Sequence, residues 1–170
     1  MIPHYKNIHN RFKINGIHLD KEAVFVFSYS LIKEGDAFEK ELGNFLLDWF
    51  DDKETIELTT SGTTGTPKNI TINKQSMVHS AIATADFFDL HPQDKALLCL
   101  PPRYIAGKMM IVRALIIGLE LDILTPSSHL DDLEIDKKYD FVAIVPLQAE
   151  NSLAKLHQFK KIIVGGAKVS

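Results

Sequence analysis

Residues 58–68 read LTTSGTTGTPK, and this stretch decides how the rest of the chain is interpreted. Apart from Leu58, its residues are small, hydroxylated, glycine, proline or lysine, and its single charge is that of Lys68. Backbone N–H groups of a glycine-containing loop form a concavity for anions, because no Cβ blocks the approach. Hydroxyl groups donate further hydrogen bonds to phosphate oxygens. The stretch therefore has the parts of a nucleotide phosphate site.

Two other interpretations of the stretch are a Walker A loop and a plain hairpin turn. A Walker A loop reads GxxxxGK, continues with Ser or Thr, and leads into a helix. Here the glycines are three residues apart, Pro67 precedes Lys68, and residues 69–72 are typical of a strand. A hairpin turn stays open as an alternative, although a loop of this length is unusually long for one.

Composition limits the class of protein. The chain has 170 residues, of which 45% are hydrophobic and 24% charged, as in a globular domain of ordinary size. Its net charge of −3 does not indicate a nucleic-acid or membrane surface. Residues 1–13 lack the apolar segment of a signal peptide, and Arg113 interrupts the longest apolar run, residues 109–119. We therefore expect a cytoplasmic protein without a membrane span.

The cysteine and histidine content does not indicate a metal site. A single cysteine excludes an internal disulfide and a cysteine-based zinc site. The seven histidines are scattered, without a spacing such as HExxH. Cys99 lies in the apolar run 96–100, which predicts a buried, inert thiol.

The hydrophobic pattern predicts strands that alternate with helices. Strands are predicted within residues 14–19, 23–29, 55–59, 69–72, 95–100, 120–124, 139–145 and 161–164. Helices are predicted at 37–50, 74–88, 107–117 and 147–157, and we expect Asp36 and Asn73 to cap the first two. This alternation predicts an α/β fold with a mainly parallel sheet, layered with helices and buried on both sides.

The order of residues 60–68 resembles the phosphate-binding signature of the adenylate-forming superfamily, which contains acyl-CoA synthetases, peptide-synthetase adenylation domains and luciferases. That signature reads [ST][ST]G[ST]TGxPK, and every position matches. In this superfamily the loop closes over the β- and γ-phosphates of ATP while a carboxylate attacks the α-phosphate, giving an acyl-adenylate and pyrophosphate. The resemblance implies that phosphate is bound by Thr60, Ser61, Gly62, Thr63, Thr64, Gly65 and Lys68.

Two further segments match the superfamily at the expected distances. Residues 100–107, LPPRYIAG, resemble its LPxxHxxG segment, with Tyr104 where His or an aromatic residue is common. Residues 163–170 resemble its Gly-Gly-Ala-x-x-Ser segment, which implies that the adenine side is formed by Gly165, Gly166 and Ala167. Residues 54–170 are thus expected to be an ATP/acyl-binding α/β subdomain, part of a large N-terminal domain. Residues 1–53 are expected to supply N-terminal strands and a helix.

Within the superfamily, residues 100–115 and the compact spacing resemble the o-succinylbenzoate–CoA ligases of menaquinone synthesis. In these enzymes an Arg on the helix after the Leu-Pro segment binds the succinyl-side carboxylate, and Arg113 lies at the matching position. From the residues alone, Arg113 binds a ligand, pairs with a structural carboxylate, or extends to the surface. The residues assigned to the acyl substrate are Tyr104, Gly107, Arg113 and Arg103.

For residues near Arg113 in sequence, a structural role stays open as an alternative to ligand binding. Arg103 follows two prolines and is expected to be less buried than Arg113, and Tyr104 either walls the acyl pocket or simply packs. Lys108 is expected to be solvated. Ala106 replaces a Ser that is often found in relatives, which limits how far pocket details carry over.

The resemblance implies an ATP-dependent carboxylate–CoA ligase that uses ATP, Mg²⁺ and CoA with a small-molecule carboxylate. Its Mg²⁺-serving Glu, ribose-binding Asp and catalytic Lys are expected beyond Ser170, so this chain is expected to be an N-terminal portion that is inactive by itself. We assign no catalytic or metal-binding residue within it, and expect no nucleic-acid partner; a homodimer is one assembly to test. The alternatives are a non-catalytic nucleotide-binding or interaction module, and an adenylating enzyme for another aryl or fatty acid.

Overall fold

The backbone forms a six-stranded sheet covered by helices, together with a separate two-stranded hairpin. The computed structural model describes residues 1–60 and 65–166. Its strands are β1 (Lys13–Ile14), β2 (Ile17–His18), β3 (Thr55–Thr60), β4 (Lys68–Asn73), β5 (Lys95–Leu98), β6 (Glu120–Ile123), β7 (Tyr139–Ile144) and β8 (Phe159–Val164). Its helices are α1 (Lys21–Glu34), α2 (Ala37–Trp49), α3 (Lys74–Phe88), α4 (Ile105–Ile117) and α5 (Pro146–Asn151), followed by a 3₁₀ helix (Leu153–Gln158).

The larger sheet has the strand order β2-β1-β6-β5-β7-β8. Its pairings are parallel except for the β1–β2 hairpin. The predicted α/β fold with a mainly parallel sheet is therefore confirmed. Because β5, β6, β7 and β8 run in the same direction, their carboxyl ends meet at one edge, where open α/β sheets bind ligands.

Apolar side chains cover both faces of this sheet. The larger cluster combines α2, α3 and α4 with one face and includes Leu98 and Phe141. The smaller cluster contains the adjacent residues Leu97 and Val142. Successive strand residues point to opposite faces, so this alternation confirms that the strands are buried on both sides.

Residues 23–29, predicted as a strand, lie in α1, so that prediction is wrong. Their β-branched and aromatic side chains favour a strand locally. The Asp20 carboxylate instead accepts a hydrogen bond from the Ala23 backbone N–H at 2.9 Å and caps a helix. Val24, Ser28 and Leu31 are its buried residues and recur at helical spacing, so tertiary packing outweighs local propensity.

The two predicted helix caps are confirmed. Asp36 accepts a hydrogen bond from the Glu39 backbone at 2.9 Å, and the Glu39 side chain accepts one from the Asp36 backbone at 3.3 Å. Asn73 Oδ1 accepts a hydrogen bond from the Ser76 backbone at 3.0 Å. The last predicted helix, 147–157, is instead the short α5 followed by the 3₁₀ helix.

The N-terminal segment contributes to the same sheet as the rest of the chain. Ile14 of β1 pairs in parallel with Leu121 of β6. The Trp49 indole N–H donates a hydrogen bond to the Tyr5 carbonyl at 2.9 Å, which attaches the first residues to α2. A division of the chain at residue 53 stays a prediction, and the β1–β6 pairing crosses it.

Candidate functional site

A cleft with a volume of about 620 Å³ lies at the carboxyl edge of the parallel sheet. We call it the edge cleft; its lining includes Thr60 at the end of β3, Tyr104 before α4, and Gly166 after β8. Each of these three residues belongs to a different one of the segments singled out from the sequence. The fold thus brings the three segments together at the position where parallel sheets bind ligands.

The hairpin of β3 and β4 places the two ends of the phosphate segment side by side. Its register pairs Thr60 with Lys68, and Thr60 Oγ1 donates a hydrogen bond to the Lys68 carbonyl at 3.3 Å. The Lys68 side chain is exposed, and Gly65 has φ +81°, a left-handed conformation that favours glycine. The remaining predicted phosphate residues lie outside the described residues: Ser61, Gly62, Thr63 and Thr64.

The turn before α4 presents Tyr104 at the edge cleft. Tyr104 is 40% exposed, and the Arg103 guanidinium lies 4.9 Å from the centroid of its ring. Arg103 Nη1 donates a hydrogen bond to Glu41 Oε1 at 2.8 Å. Hydrogen bonding to Tyr104 and to Glu41 raises the pKa of Arg103. Arg103 lines an adjacent cleft next to the hairpin, so it is not brought into the edge cleft.

Gly107 and Lys108 are buried in the first turns of α4. A Cβ on Gly107 would clash with the Pro101 carbonyl, so glycine allows α4 to approach the preceding turn. The prediction that Lys108 is solvated is wrong, because its Nζ donates to the Pro102 carbonyl and lies 5.2 Å from the Phe45 ring centroid. Its long stem packs among apolar atoms, and burial lowers the pKa of Lys108.

Arg113 is buried in α4 without an acidic partner among the described residues. It is 9% exposed, and its Nε atom has no described hydrogen-bond partner. Nη1 donates to Met110 Sδ at 3.5 Å, and the guanidinium lies 5.8 Å from the Phe141 ring centroid. Burial lowers the pKa of Arg113 to about 10, so the side chain keeps its charge at neutral pH. Arg113 therefore neither forms an ion pair with a described residue nor extends to the surface.

Arg113 does not line the edge cleft. Ile105, at the start of α4, does line it, and Arg113 lies eight positions further along the helix, a rise of about 12 Å. The structure thus places this cation on the same helix as the cleft wall but deeper in the protein.

The glycines after β8 continue the edge of the sheet. The Gly165 N–H donates to the Ile144 carbonyl at 3.1 Å, next to the β7–β8 ladder. Gly166 has φ +87°, and a Cβ there would lie at an ordinary contact distance of 3.6 Å from Val145 Cγ1. Glycine is therefore favoured at position 166 by the left-handed backbone conformation and not by a lack of space for a side chain. Ala167 lies outside the described residues.

Sequence reasoning missed Gln148, a buried side chain of the edge cleft with 2% exposure. Its Nε2 donates to the carbonyls of Cys99 and Ser127, both at 3.0 Å, and its Oε1 accepts from the Val145 N–H at 3.1 Å. Pro146 at the first position of α5 and Gln148 two residues later resemble a helix start, and this signal could have indicated the last of these bonds.

Cys99 is buried, as predicted. Its thiol is 1% exposed, and Sγ donates to the Ala143 carbonyl at 3.8 Å. Burial raises the pKa of Cys99 to about 12, so the reactive thiolate is scarce at neutral pH. The predicted burial is thus confirmed, and the raised pKa is in keeping with an inert thiol.

The described residues do not fit a metal site. Within residues 1–60 and 65–166, no three His, Cys, Asp or Glu side chains are grouped so that they could hold an ion. Mg²⁺ prefers carboxylate and other oxygen ligands, so no chemical step is assigned to Mg²⁺ held by these residues. Across the same part of the chain, no helix is both long and apolar enough to cross a bilayer.

Comparison with known proteins identifies relatives of known activity. The sequence model described as AMP-binding enzyme matches residues 55–170. The chain is 28% identical over 154 residues to the 2-succinylbenzoate–CoA ligase of Listeria monocytogenes, and 27% identical over 126 residues to that of Oceanobacillus iheyensis. These matches cover 84% and 69% of this chain but 32% and 26% of those proteins. The chain thus spans about a third or less of the curated relatives it matches.

Solved structures share the fold. The acyl-CoA synthetase (AMP-forming)/AMP-acid ligase II-like protein from Dyadobacter fermentans is 30% identical, with a TM-score of 0.73 over 85% of this chain and 43% of that one. The o-succinylbenzoate coenzyme A synthetase (MenE) from Bacillus subtilis, solved in complex with AMP, is 26% identical. Its TM-score is 0.54, over 65% of this chain and 30% of that one.

Proposed function

Since the chain belongs to the AMP-binding enzyme family, we propose that it supplies the phosphate loop and part of the acyl pocket of an ATP-dependent carboxylate–CoA ligase. Such an enzyme transfers the AMP group of ATP to a carboxylate with release of pyrophosphate, and then transfers the acyl group to CoA with release of AMP. One observation carries the proposal: the edge cleft joins Thr60, Tyr104 and Gly166, one residue from each matching segment. Ligands of open parallel sheets bind at this edge.

The proposed carboxylate is o-succinylbenzoate. The curated relatives are named for this substrate, which has a second carboxylate besides the one that is adenylated. Arg113 supports the choice, because it is a buried cation with an unpartnered Nε and no acidic partner among the described residues. A ligand carboxylate would supply the missing charge and hydrogen bonds. The acyl group would then extend from the edge cleft along α4 towards Arg113.

The other predicted site residues receive roles in the same proposal. Lys68, exposed opposite Thr60, would attract the phosphates, and the backbone around Gly65 would approach them. Tyr104 would wall the acyl group, while Gly165 and Gly166 would lie on the adenine side. Bound Mg²⁺ would neutralise phosphate charge. ATP, CoA and Mg²⁺ are proposed for the whole enzyme, in the cytoplasm, and its homodimeric state is a prediction for sedimentation velocity.

Ligand binding by the 170-residue chain tests the proposal. Isothermal titration would use the sulfamoyl-adenosine analogues of o-succinylbenzoyl-AMP and benzoyl-AMP, in which a sulfamate replaces the phosphate, and ATP itself. We expect binding of the nucleotide ligands, tightest for the o-succinylbenzoyl analogue, and no pyrophosphate release from this chain with ATP and o-succinylbenzoate. Binding of ATP without preference between acyl groups would favour a nucleotide-binding module. Absence of binding for all three ligands would overturn the proposed function.

A further inference from the structure

The loop after β6 forms one wall of the edge cleft and is held by side chains in and just after α5. We call residues 125–130 the β6 loop. Gln148, Asn151 and Ser152 hydrogen-bond its backbone at three neighbouring points. Their partners are, in that order, the Ser127 carbonyl at 3.0 Å, the Ser128 carbonyl at 2.9 Å and the Leu130 N–H at 2.8 Å.

Among these three side chains, only Gln148 lines the cleft. Its two amide N–H groups reach one carbonyl after β5, that of Cys99, and one in the β6 loop, while its oxygen accepts the N–H that follows β7. A single buried side chain thus connects the carboxyl ends of three neighbouring strands. Buried carbonyl groups that lose such a donor are left unsatisfied, and this favours movement of the loop towards water.

We propose that Gln148 is a positioning residue that sets the width of the edge cleft and thereby selects the acyl group that the cleft accepts. This inference rests on the proposed function, because the acyl group is the ligand assigned to that cleft. Ser127 of the β6 loop and Tyr104 before α4 both line the cleft, so a displacement of the loop changes the space available beside the ring. Within the described residues, the β3–β4 hairpin, which carries the phosphate segment, makes no hydrogen bond to Gln148. Its nucleotide contacts should therefore be insensitive to this residue.

The only cysteine of the chain provides a test that requires no ligand. Cys99 is buried, lines the edge cleft, and offers its carbonyl to Gln148. With Gln148→Leu we expect modification by an aromatic disulfide reagent to be about tenfold faster under native conditions. The control Asn151→Ala removes an exposed hydrogen bond to the adjacent Ser128 carbonyl from a side chain that does not line the cleft. Water can replace this bond, so the modification rate should stay within about twofold of wild type.

Urea separates this local opening from global unfolding. Modification through an opened β6 loop should depend weakly on low urea, whereas modification through unfolding should follow the steep dependence of global stability. An unchanged rate in Gln148→Leu, or a rate explained by unfolding alone, would overturn the proposal. This result is informative even if wild type binds no ligand.

Ligand selectivity supplies the second readout. We expect Gln148→Leu to bind the o-succinylbenzoyl sulfamoyl-adenosine analogue about tenfold more weakly, with a smaller loss for a bulkier succinylnaphthoyl analogue and unchanged affinity for ATP. Gln148→Glu, which keeps the size but removes both donors, should change selectivity in the same direction. Equal losses for all ligands, with a lower melting temperature, would reduce Gln148 to a structural role and contradict the proposal. Failure of wild type to bind any ligand would instead count against the proposed function.

Discussion

The Nζ atom of Lys74 lies 2.8 Å from Asp51 Oδ1 and is fully buried, so the first residue of α3 is bound to the segment that follows α2. The centroid of the Tyr5 ring lies 5.4 Å from the same Nζ atom, and this ring packs edge-on against Trp49 at 6.1 Å. Tyr5 in the N-terminal segment and Asp51 after α2 thus both lie next to the buried ammonium group of Lys74, the first residue of α3. Replacement of Asp51 should lower the stability of the fold, because the buried charge of Lys74 then remains uncompensated.

Asp51→Asn should destabilise the chain. We expect a loss of about 1–3 kcal/mol, less than for a fully buried pair, because Asp51 is 36% exposed. Urea unfolding followed by Trp49 fluorescence measures it. The control is Asp52→Asn, which removes a fully exposed partner of Lys6 and should leave the midpoint unchanged. Equal midpoints for both variants would contradict the role of the pair.

The contribution of Asp51 should also depend on pH. Partial burial raises the pKa of Asp51, but hydrogen bonds from Lys74 and from the Lys53 backbone outweigh it and hold the pKa below the ordinary 3.8. A carboxyl group with a lowered folded-state pKa stabilises fully above its unfolded-state pKa and loses this effect as the pH falls through the folded-state value. The stability difference between wild type and Asp51→Asn should therefore be constant above about pH 5 and shrink below about pH 4. A difference that grows on acidification would refute this.

Lys68→Met should weaken nucleotide binding. Loss of one cation near the phosphates is expected to reduce ATP affinity about tenfold, and to make the remaining affinity less sensitive to salt. Titration at two ionic strengths measures both effects. Lys53→Met removes an exposed cation just before β3, at the other end of the hairpin, and should leave ATP affinity unchanged. Similar losses in both variants would point to net charge rather than to the phosphate site.

Arg113→Leu should distinguish two ligands of which only one carries a second carboxylate. Affinity for the o-succinylbenzoyl sulfamoyl-adenosine analogue should fall about 10- to 100-fold, while the benzoyl analogue binds as before. Because the variant removes a buried cation that has no acidic partner among the described residues, its melting temperature should be equal or higher. Arg103→Met, at an exposed arginine held by Glu41, is the matched control. Equal losses for both ligands together with a lower melting temperature would assign Arg113 a structural role.

Gly107→Ala should destabilise the turn that carries Tyr104. The new Cβ would clash with the Pro101 carbonyl, and relief of such an overlap typically costs about 1–3 kcal/mol. Thermal unfolding measures the loss. Ala106→Ser alters the exposed neighbour and should have no comparable effect. A Gly107→Ala protein with wild-type stability would show that α4 can shift away from the turn freely.

The parallel sheet could be predicted from sequence because its strands are short apolar runs that end at prolines, glycines or charged turns. The first helix could not, since β-branched and aromatic residues dominate residues 23–29, and only Asp20 with Glu22 in the following turn indicates a helix start. Within the site, ordered motifs predicted which segments meet. Two of the three hydrogen bonds of Gln148 could not be predicted, because their partners lie 21 and 49 residues away in sequence. Hydrophobic periodicity indicates which residues are buried, but it does not indicate which distant carbonyl group lies next to a given side chain.

The pairing of β3 with β4 also constrains how this sequence can diverge. Buried Ile56 and Leu58 alternate with exposed Glu57 and Thr59 along β3. Loss or gain of one residue there would turn the wrong side chains inward and move Lys68 out of its position opposite Thr60. Substitutions on the exposed face leave this arrangement intact. During evolution, substitutions on the exposed face of β3 are therefore tolerated far more readily than insertions or deletions within the strand.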